Sequence, residues 1–544
     1  MSAQSATVTF TRAVTVAAGV FAPGHLGELT QFAPFELVDD ILERTRAVQR
    51  RLRDLPSRAG VYFLLAMALF PGLGYARVRG KLTAGLAGLP VAAPSEKAPR
   101  DLRRRLGPAP PKALSEVLAG PLAWPYSPGV RFAGLRTAAS GGCSSIRAPD
   151  TARNRAWLGR VRHRKGFAGY PLVHLMTLAE TGTRALPGAV IAGQGEGGET
   201  ALARRLLHLP GPGMLALADR AYDTAGFLAA VAGTGAQFLV RVRSSRTLAP
   251  GQVLPDGSWI ADLAGLQVRV IEAQVMITGA GGTCCQDRCR LVTTLPGHRR
   301  FPADRLVRLC HERREIESAC YALRHAMLAG RVLRSGDRPG AGQELRALPA
   351  ACQLLRMAMT DATATRPGTD PGRASFTTAL ETAREQITTA QGISPAAPDH
   401  PGAIGRAVPA ALLPARRPRY SARKVKSSTS RYPGRPGDPR PALPENITAV
   451  TITICTPPPG GRSPRPRARR PAQPAPGTLR HRVTAIMRTG PSRPRTSREL
   501  AALLRLRPSY LLSHMAHWTT AGHLTRTSPG TCTLPPTPAP LTNP

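Results

Sequence analysis

The sequence predicts a mixed α/β domain that is preceded by helices and followed by a basic tail. Residues 21–90 have amphipathic helical spacing, and short apolar runs separated by turns begin at about residue 133. Three strand-like runs are then followed by alternating helix and strand, which is the order of a mixed sheet with helices packed on it. With 544 residues, of which 42% are hydrophobic, the chain can hold several domains and at least one sizeable core.

The first 120 residues predict a helical module and a basic linker. In PFELVDDILERT the apolar residues recur at helical spacing, and the apolar run VYFLLAMALF precedes the basic segment YARVRGKL. Residues 91–130 are rich in proline and basic residues, which is typical of a boundary or an exposed connection.

Residues 130–365 predict the sheet domain. GLRTAAS, YPLVHLMTLAE and ALPGAVIAG are expected to be strands, ETALARRLLHL a helix, and MLALADRAYD a buried strand that ends at Asp219. A further helix and strand follow, in TAGFLAAVAGTG and AQFLVRVRSS. Residues 244–300 contain more strand-like runs and no clear helix, which predicts a β insertion before the helix in CHERREIESACYALR.

The composition changes again beyond residue 365. Residues 366–476 are expected to form an extension and a disordered linker, because the stretch from 405 onward carries many Arg and Pro and almost no acids. Residues 477–534 predict three helices and a two-strand hairpin, the order of a winged helix-turn-helix. A simple helical bundle would show the same pattern, so both interpretations stand.

The charge indicates a polyanionic partner. Against 33 Asp and Glu the chain carries 74 Lys and Arg, a formal net charge of +41. Nucleic acid is the leading candidate and a membrane surface the alternative. We expect a cytoplasmic, nucleoid-associated protein, because no secretory signal or spanning segment is evident and the nine cysteines are scattered.

Two acids are candidate functional residues. Glu317 lies among arginines at the border of an apolar helical stripe, formed by Leu309, Ile316, Ala319, Leu323 and Met327. It is either a surface residue supported by Arg313 at i,i+4 or a functional acid. Asp219 is either a turn residue or a carboxylate placed at a strand end to hold a divalent metal beside a substrate.

Taken together, the segments around these acids resemble DDE-type transposases of bacterial insertion sequences, in particular the insertion-element-four family. LADRAYD is followed by C-x₂-R-x₃-E-x₆-R, where the family has Y-x₂-R-x₃-E-x₆-K. Arg313, Glu317 and Arg324 occupy the R, E and K places, and Cys310 stands in place of the tyrosine. The resemblance extends over roughly residues 20–430 and includes APDTARNRAWLG, RVLRS and LLPARRPRYSARKVK.

The resemblance implies an RNase H-like core and DNA strand cleavage and transfer by two Mg²⁺ or Mn²⁺ ions held by three carboxylates. Asp219 and Glu317 would be metal ligands, and Arg313 and Arg324 would contact DNA phosphates. The implied partners are double-stranded DNA, as the terminal inverted repeats of the element and as target, and a second copy of the chain on paired ends. Residues 1–120 would then serve DNA binding or assembly.

One position departs from the family pattern. The first aspartate belongs in a strand of the type D-G-T-T-L-D-V-P-D-T, and this chain has GCSSIRAPDT, with Gly142 in its place. We therefore expect a transposase with impaired cleavage, or alternatively a DNA-binding protein without catalysis, either a decayed transposase or a repressor. Asp150 lies eight positions further on, beyond the expected strand end, and would substitute only with a slipped register. Glu180, Glu196 and Asp223 are further candidates, without a positional argument. Trp259 is expected either to stack on an unpaired base or to pack in the insertion.

Overall fold

The computed structural model divides into two compact units, Met1–Pro459 and Gly460–Pro544. In the first unit it describes residues 14–15, 21–22, 25–51, 54–86, 91, 93–160, 162–163, 166–167, 169–243, 246–310, 315–389, 402–414, 419–420 and 445–457. In the second unit it describes residues 479–488, 494–504, 506, 508–520, 523–528 and 531–534. No helix within these ranges is long and apolar enough to cross a membrane.

The first unit opens with a short strand pair and helices. These are β1 (Val14–Thr15), β2 (Phe21–Ala22), α1 (Phe35–Arg44), α2 (Ser57–Leu69), α3 (Tyr75–Thr83), α4 (Ala98–Leu106) and α5 (Ala109–Leu118). Helix α2 is apolar on all sides and almost wholly buried, as expected of a helix surrounded by other elements. The prediction that residues 91–130 form a linker is wrong for the segments that form helices α4 and α5. Buried Arg103 of α4 donates to Gln343 Oε1 (3.1 Å) and Ser335 Oγ (2.9 Å), which attaches this basic segment to the core.

A large mixed sheet follows. Its strands, with the separate pair β5 and β6, are β3 (Arg131–Phe132), β4 (Leu135–Arg147), β5 (Arg162–His163), β6 (Gly166–Phe167), β7 (Leu172–Glu180), β8 (Gly188–Ala192), β9 (Met214–Ala218), β10 (Gln237–Arg241), β11 (Trp259–Leu263), β12 (Leu266–Gly279), β13 (Cys284–Thr293), β14 (Arg419–Tyr420) and β15 (Glu445–Ile454). The order is β14-β15-β12-β13-β10-β9-β4-β7-β8, with β11 paired to β12 and β3 to β4. Strands β4, β9 and β10 are parallel, and β7 is antiparallel to β4 and β8. The predicted mixed α/β class is confirmed.

Helices pack against both faces of this sheet. They are α6 (Ala152–Leu158), α7 (Glu199–Arg204), α8 (Ala225–Ala232), α9 (Ala303–Leu309), α10 (Glu315–Tyr321), α11 (Arg338–Ala364), α12 (Phe376–Thr389) and α13 (Ala403–Ala410). One hydrophobic cluster joins the N-terminal helices, α10–α13 and one face of the sheet. A second cluster joins α7, α8, the other face and the insertion strand β11. The central strands therefore lie between two packed layers.

The disorder predicted between 405 and 476 is wrong for two segments. Residues 402–414 contain α13, and β15 pairs with β12 along Ala273–Gly279. The segment ENITAVTITI is rich in β-branched residues, which favour strands, but the surrounding Arg and Pro dominate the composition of the region. Residues 415–418, 421–444 and 458–478, which hold most of the Arg/Pro tract, lie outside the described residues.

The second unit contains the three predicted helices and the hairpin. Its elements are α14 (Leu479–Arg488), β16 (Arg495–Thr496), α15 (Ser497–Leu504), α16 (Pro508–Thr520), β17 (Thr525–Ser528) and β18 (Thr531–Thr533), and its sheet has the order β16-β18-β17. From the sequence, the helices of this unit are predicted to bury Leu500, Leu503, Leu511 and Leu512. Leu500 and Leu511 are buried, but the prediction is wrong for Leu503 and Leu512, which are 58% and 44% exposed. Their neighbours Leu504 and Met515 occupy the buried stripe, at i+4 from Leu500 and Leu511.

This helical unit should resist trypsin while the arginine-rich sequence before it is cut. Leu511→Ala should remove a resistant C-terminal fragment from digests of the full chain, because truncating a fully buried leucine costs about 2–5 kcal/mol. Leu512→Ala, one residue away and half-exposed, is the matched control and should leave the fragment intact. Immediate degradation of the fragment in the wild-type chain would mean that this unit is not stably folded.

Acid should weaken the N-terminal helical region through His25. This residue is buried; its Nε2–H donates to the Leu82 carbonyl (3.2 Å) and its Nδ1 accepts from the Gly27 N–H (3.5 Å). Burial lowers the pKa of His25 to about 4, although the Leu82 hydrogen bond raises it. The unfolded chain, with a pKa near 6.5, therefore binds more protons between pH 6.5 and 4, and the free energy of unfolding should fall over that window by up to about 3 kcal/mol. Urea unfolding at pH 7 and pH 5 should show a smaller difference for His25→Gln; equal differences would contradict the assignment.

Candidate active site

Asp219 lies at the carboxyl end of β9. The apolar strand MLALA is buried, and the exposed Asp219 carboxylate accepts the Arg220 N–H (2.8 Å), which starts the 3₁₀ turn Arg220–Tyr222. Both interpretations from the sequence thus describe the same side chain. It caps a turn, and its carboxylate oxygens lie at the carboxyl end of a central strand.

Gly142 lies within the neighbouring strand β4, just beyond the point where β4 stops pairing with β9. β4 runs parallel to β9, with Ala139 paired to Leu217, so Gly142 and Asp219 both follow the last paired residues of adjacent parallel strands. On its other side Gly142 pairs with Met176 of β7. The position predicted to have lost its acid therefore lies within β4, on the strand adjacent to the one that ends at Asp219.

Helix α10 brings Glu317 to this part of the sheet. Its Ile316 packs so closely on Gly141 that a Cβ there would stand 2.6 Å from Ile316 Cγ1. One turn later Cys320 is hydrogen-bonded to Cys143, and this contact, together with burial, raises the pKa of the Cys320 thiol. Glu317 itself is exposed. The helix is thus held on β4 by the residues on either side of Gly142.

The helix that carries Glu317 continues as a π-helical turn, Ala322–Met327. Arg324 is half-buried in this turn, with its Nη2 3.2 Å from His325 Nε2. Tyr321 is 64% exposed and stacks on His325 at 4.7 Å between ring centroids, a feature that sequence reasoning did not identify. Arg313 lies in residues 311–314, outside the described part of the chain.

The four acids considered as substitutes are engaged elsewhere. Asp150 pairs with Arg155 (3.2 Å) and Arg160 (3.9 Å), and buried Glu180 accepts the N–H groups of Leu122 and Ala123, both at 3.0 Å. Glu196 accepts the Gly193 N–H (3.0 Å) and lies 3.6 Å from Arg205 Nη1, while buried Asp223 pairs with Arg246 and accepts the Arg243 N–H. Each of these contacts stabilises a loop or a strand end.

A different acid lies beside Gly142. A Cβ on Gly142 would stand 3.0 Å from Oε1 and 3.3 Å from Cδ of Glu199, the first residue of α7. Thr200 Oγ1 donates to the Ala221 carbonyl (3.4 Å), which places the start of α7 against the turn that follows Asp219. Burial, and then the nearby charges of Glu199 and Asp219 and the Cys320 thiol, raise the pKa of Tyr222. Sequence reasoning missed Glu199, because GGET reads as an ordinary helix start.

The carboxylates of the expected metal site are incomplete in this chain. Asp219 and Glu317 remain, and residue 142 carries no side chain. Within the described ranges, no group of three or more His, Cys, Asp or Glu side chains is arranged to hold a metal ion. As placed, these residues do not fit the three-carboxylate, two-cation site that the resemblance implies.

Trp259 does not offer a stacking surface. It is only 3% exposed and packs in the second hydrophobic cluster with strands of the insertion. The base-stacking interpretation is therefore wrong for this structure. The other interpretation from the sequence, a residue of the insertion core, describes its position.

Two family models and a curated relative match this chain. Residues 23–116 match the family model for the N-terminal part of insertion element 4 transposases, and residues 144–341 match the model for the transposase DDE domain. The transposase InsG for insertion sequence element IS4 of Escherichia coli (strain K12) is 27% identical over 329 residues, covering 58% of this chain and 72% of InsG.

Among solved structures, the cryo-EM structure of a piggyBac transposase synaptic complex with hairpin DNA is 10% identical and covers 68% of this chain and 82% of that chain, with a TM-score of 0.38. The two family models match the helical segment and the sheet domain in chain order. The chain belongs to the insertion element 4 family of DDE transposases.

Proposed function

We propose that this transposase binds double-stranded DNA at the terminal inverted repeats of its element, and that its strand cleavage is impaired because residue 142 is glycine. One observation carries the proposal. Gly142, within β4, and Asp219, at the end of β9, both follow the last paired residues of these adjacent parallel strands, and the helix that carries Glu317 packs on β4 at the residues flanking Gly142. This part of the sheet thus carries two of the three expected acids, Asp219 and Glu317.

The strand order supports an RNase H-like core. The five strands β8-β7-β4-β9-β10 are adjacent in that order, with only β7 antiparallel to its neighbours within this group. Strands β11, β12 and β13 then extend the sheet from β10, before the helix that carries Glu317. We interpret them as an insertion into that core.

The family implies dependence on divalent metal, and we propose Mg²⁺ or Mn²⁺, because hard cations prefer carboxylate oxygen. Asp219 and Glu317 are the proposed ligands. Arg324, and Arg313 outside the described residues, are the proposed phosphate contacts. A homodimer on paired element ends and association with the nucleoid belong to the same proposal.

A DNA-binding protein without catalysis is the second candidate, and the glycine at position 142 favours it. The C-terminal unit supports DNA binding in either case. Its three helices and its sheet, with the strand order β16-β18-β17, are the elements of a winged helix-turn-helix. In that fold α15 and α16 would be the helix-turn-helix pair, and α16 would enter the major groove. An assay of DNA strand cleavage distinguishes the two candidate functions.

Binding of duplex DNA should depend steeply on salt. A chain with a net charge of +41 neutralises many phosphates and releases their counterions. Titrating a labelled duplex with the full chain should show an affinity loss on the order of a thousandfold between roughly 50 and 200 mM salt, if about six phosphates are contacted. An affinity that barely changes with salt would count against a nucleic-acid partner.

A further inference from the structure

We propose that Arg147 and Arg331 bind the phosphate backbone of duplex DNA beside the proposed active site, in a basic row that Arg324 continues. This inference rests on the proposed function, which gives phosphate contacts to Arg313 and Arg324 and assigns none to these two arginines. Arg147 is the last residue of β4, the strand that contains Gly142. The arginine row, which consists of Arg147, Arg324 and Arg331, would hold the DNA at a fixed distance from the acids.

The backbone brings the arginine row together around Gly330. A parallel β-bridge, and the hydrogen bond from the Leu333 N–H to the Arg147 carbonyl (2.9 Å), join the segment that directly follows Arg331 to the end of β4. The Gly330 N–H donates to the Arg324 carbonyl (2.9 Å). The segment after the π-helical turn is therefore joined both to that turn and to β4.

The side chain of Arg147 is held in place while its charge stays exposed. Its Nη2 donates to the Gly330 carbonyl, and its guanidinium lies over the ring of Tyr170, 5.7 Å from the centroid. Because a guanidinium has five N–H donors, one bond to a carbonyl leaves donors for a phosphate. A side chain that is already fixed also loses less conformational entropy when it binds.

Arg331 connects the row to the N-terminal helical region. A Cβ on Gly72, in the turn between α2 and α3, would stand 3.4 Å from the guanidinium atoms of Arg331, so the two are in van der Waals contact. The Arg331 side chain is nevertheless exposed. The row therefore lies where the helical region meets the sheet domain.

No acid neutralises the arginine row within the described residues, since none of its three arginines forms an ion pair there. Two acids close to the row in sequence pair with other arginines, Asp150 with Arg155 (3.2 Å) and Asp337 with Arg153 (3.9 Å). Unpaired guanidinium groups placed side by side are complementary to a DNA strand, which carries one phosphate for about every 3.4 Å of helix axis.

The row lies within reach of a duplex held at the acids. Arg147 is five residues beyond Gly142 in the same strand, which separates their Cα atoms by at most about 17 Å. Glu317 precedes Arg324 by seven residues, or about 10 Å along the helix. One turn of B-DNA spans about 34 Å, so one duplex can contact both the row and the acids.

The salt dependence of duplex binding by full-length variants tests the inference. Phosphate contacts do not depend on sequence, so a short labelled duplex of arbitrary sequence is the probe. Arg147→Ala and Arg331→Ala should each weaken binding about tenfold at low salt, and each should lower the slope of log affinity against log salt by about 0.9. Arg131→Ala is the matched control, because Arg131 is also exposed and donates to a glycine carbonyl (Gly134, 3.0 Å), but at the amino end of β4.

A conservative variant separates phosphate binding from folding. Arg147→Lys keeps the charge without the planar guanidinium, so it should retain the salt slope of the wild type and lose affinity only a few-fold. All variants should have wild-type urea unfolding curves. A wild-type salt slope in Arg147→Ala, or an equal loss of slope in Arg131→Ala, would overturn the inference and leave the proposed function standing. A wild-type chain without salt-dependent duplex binding would overturn both.

Photocrosslinking locates the contact. Tyr170 is 40% exposed beside Arg147, and the photoreactive residue p-benzoylphenylalanine in its place should crosslink to the bound duplex. The same replacement at Tyr126, which is 82% exposed and precedes β3, is the control and should crosslink far less. A crosslinking yield at position 170 no higher than at position 126 would contradict the proposal.

Discussion

Gly142→Asp is expected to increase nicking of a supercoiled plasmid that carries the element ends by about a hundredfold, the effect typical of one electrostatic group in an active site. The variant adds a carboxylate within β4, just beyond its last residue paired with β9, the strand that ends at Asp219. The backbone can accept it, because the nearest atom to the new Cβ is the flexible end of Glu199, at 3.0 Å. Glu199 can turn toward solvent to make room.

The controls distinguish charge from shape. Gly142→Asn has nearly the same volume as Gly142→Asp but no charge, so it should restore much less nicking. Asp219→Ala provides the blank. Robust nicking by the wild-type chain that Glu199→Gln abolishes would show that Glu199 replaces the missing aspartate and that cleavage is not impaired. Robust nicking that survives Glu199→Gln would show that another acid replaces it, with Asp150 the first to test.

Much of the sheet domain follows from sequence, because buried strands are apolar and their ends are marked by polar residues. The sequence predicts, in order, the apolar runs that form β4, β7, β8, β9 and β10, and it predicts Asp219 at a strand end. The family pattern then pointed to Gly142. These features depend on local periodicity and spacing, which a sequence displays directly.

The remaining features depend on contacts between distant segments. The approach of Glu199 to Gly142 joins a helix start to a strand fifty-seven positions earlier, and no local pattern records it. The pairing of β15 with β12 was hidden by basic flanking sequence, and the attachment of α4 depends on Arg103 reaching residues of α11 and the loop before it. Burial of Trp259 was decided by how the insertion packs on α8 and the sheet.

The start of α10 is fixed by a buried ion pair, which is the source of the largest expected stability effect. Glu315 is 2% exposed and accepts from Arg184 Nε at 2.9 Å, and Arg184 also donates to the Gly372 carbonyl (3.3 Å). Arg356 is buried nearby; burial lowers its pKa to about 10, and the Glu315 charge is among the contacts that oppose this shift. One carboxylate thus compensates two guanidinium groups that have little access to water.

Glu315→Ala should therefore lower the free energy of unfolding by about 3–5 kcal/mol, the cost of leaving a buried charge without its partner. Glu317→Ala, two residues along the same helix, removes an exposed carboxylate and should change stability by no more than about 0.5 kcal/mol. Urea unfolding of both variants, with nicking measured in the Gly142→Asp background, separates the two roles. Glu317→Ala should abolish the restored nicking in a fully folded protein, whereas Glu315→Ala should lose nicking only as it loses structure. A Glu315→Ala protein as stable as wild type would show that Arg184 and Arg356 find compensation elsewhere, and that this ion pair does not fix the helix that carries Glu317.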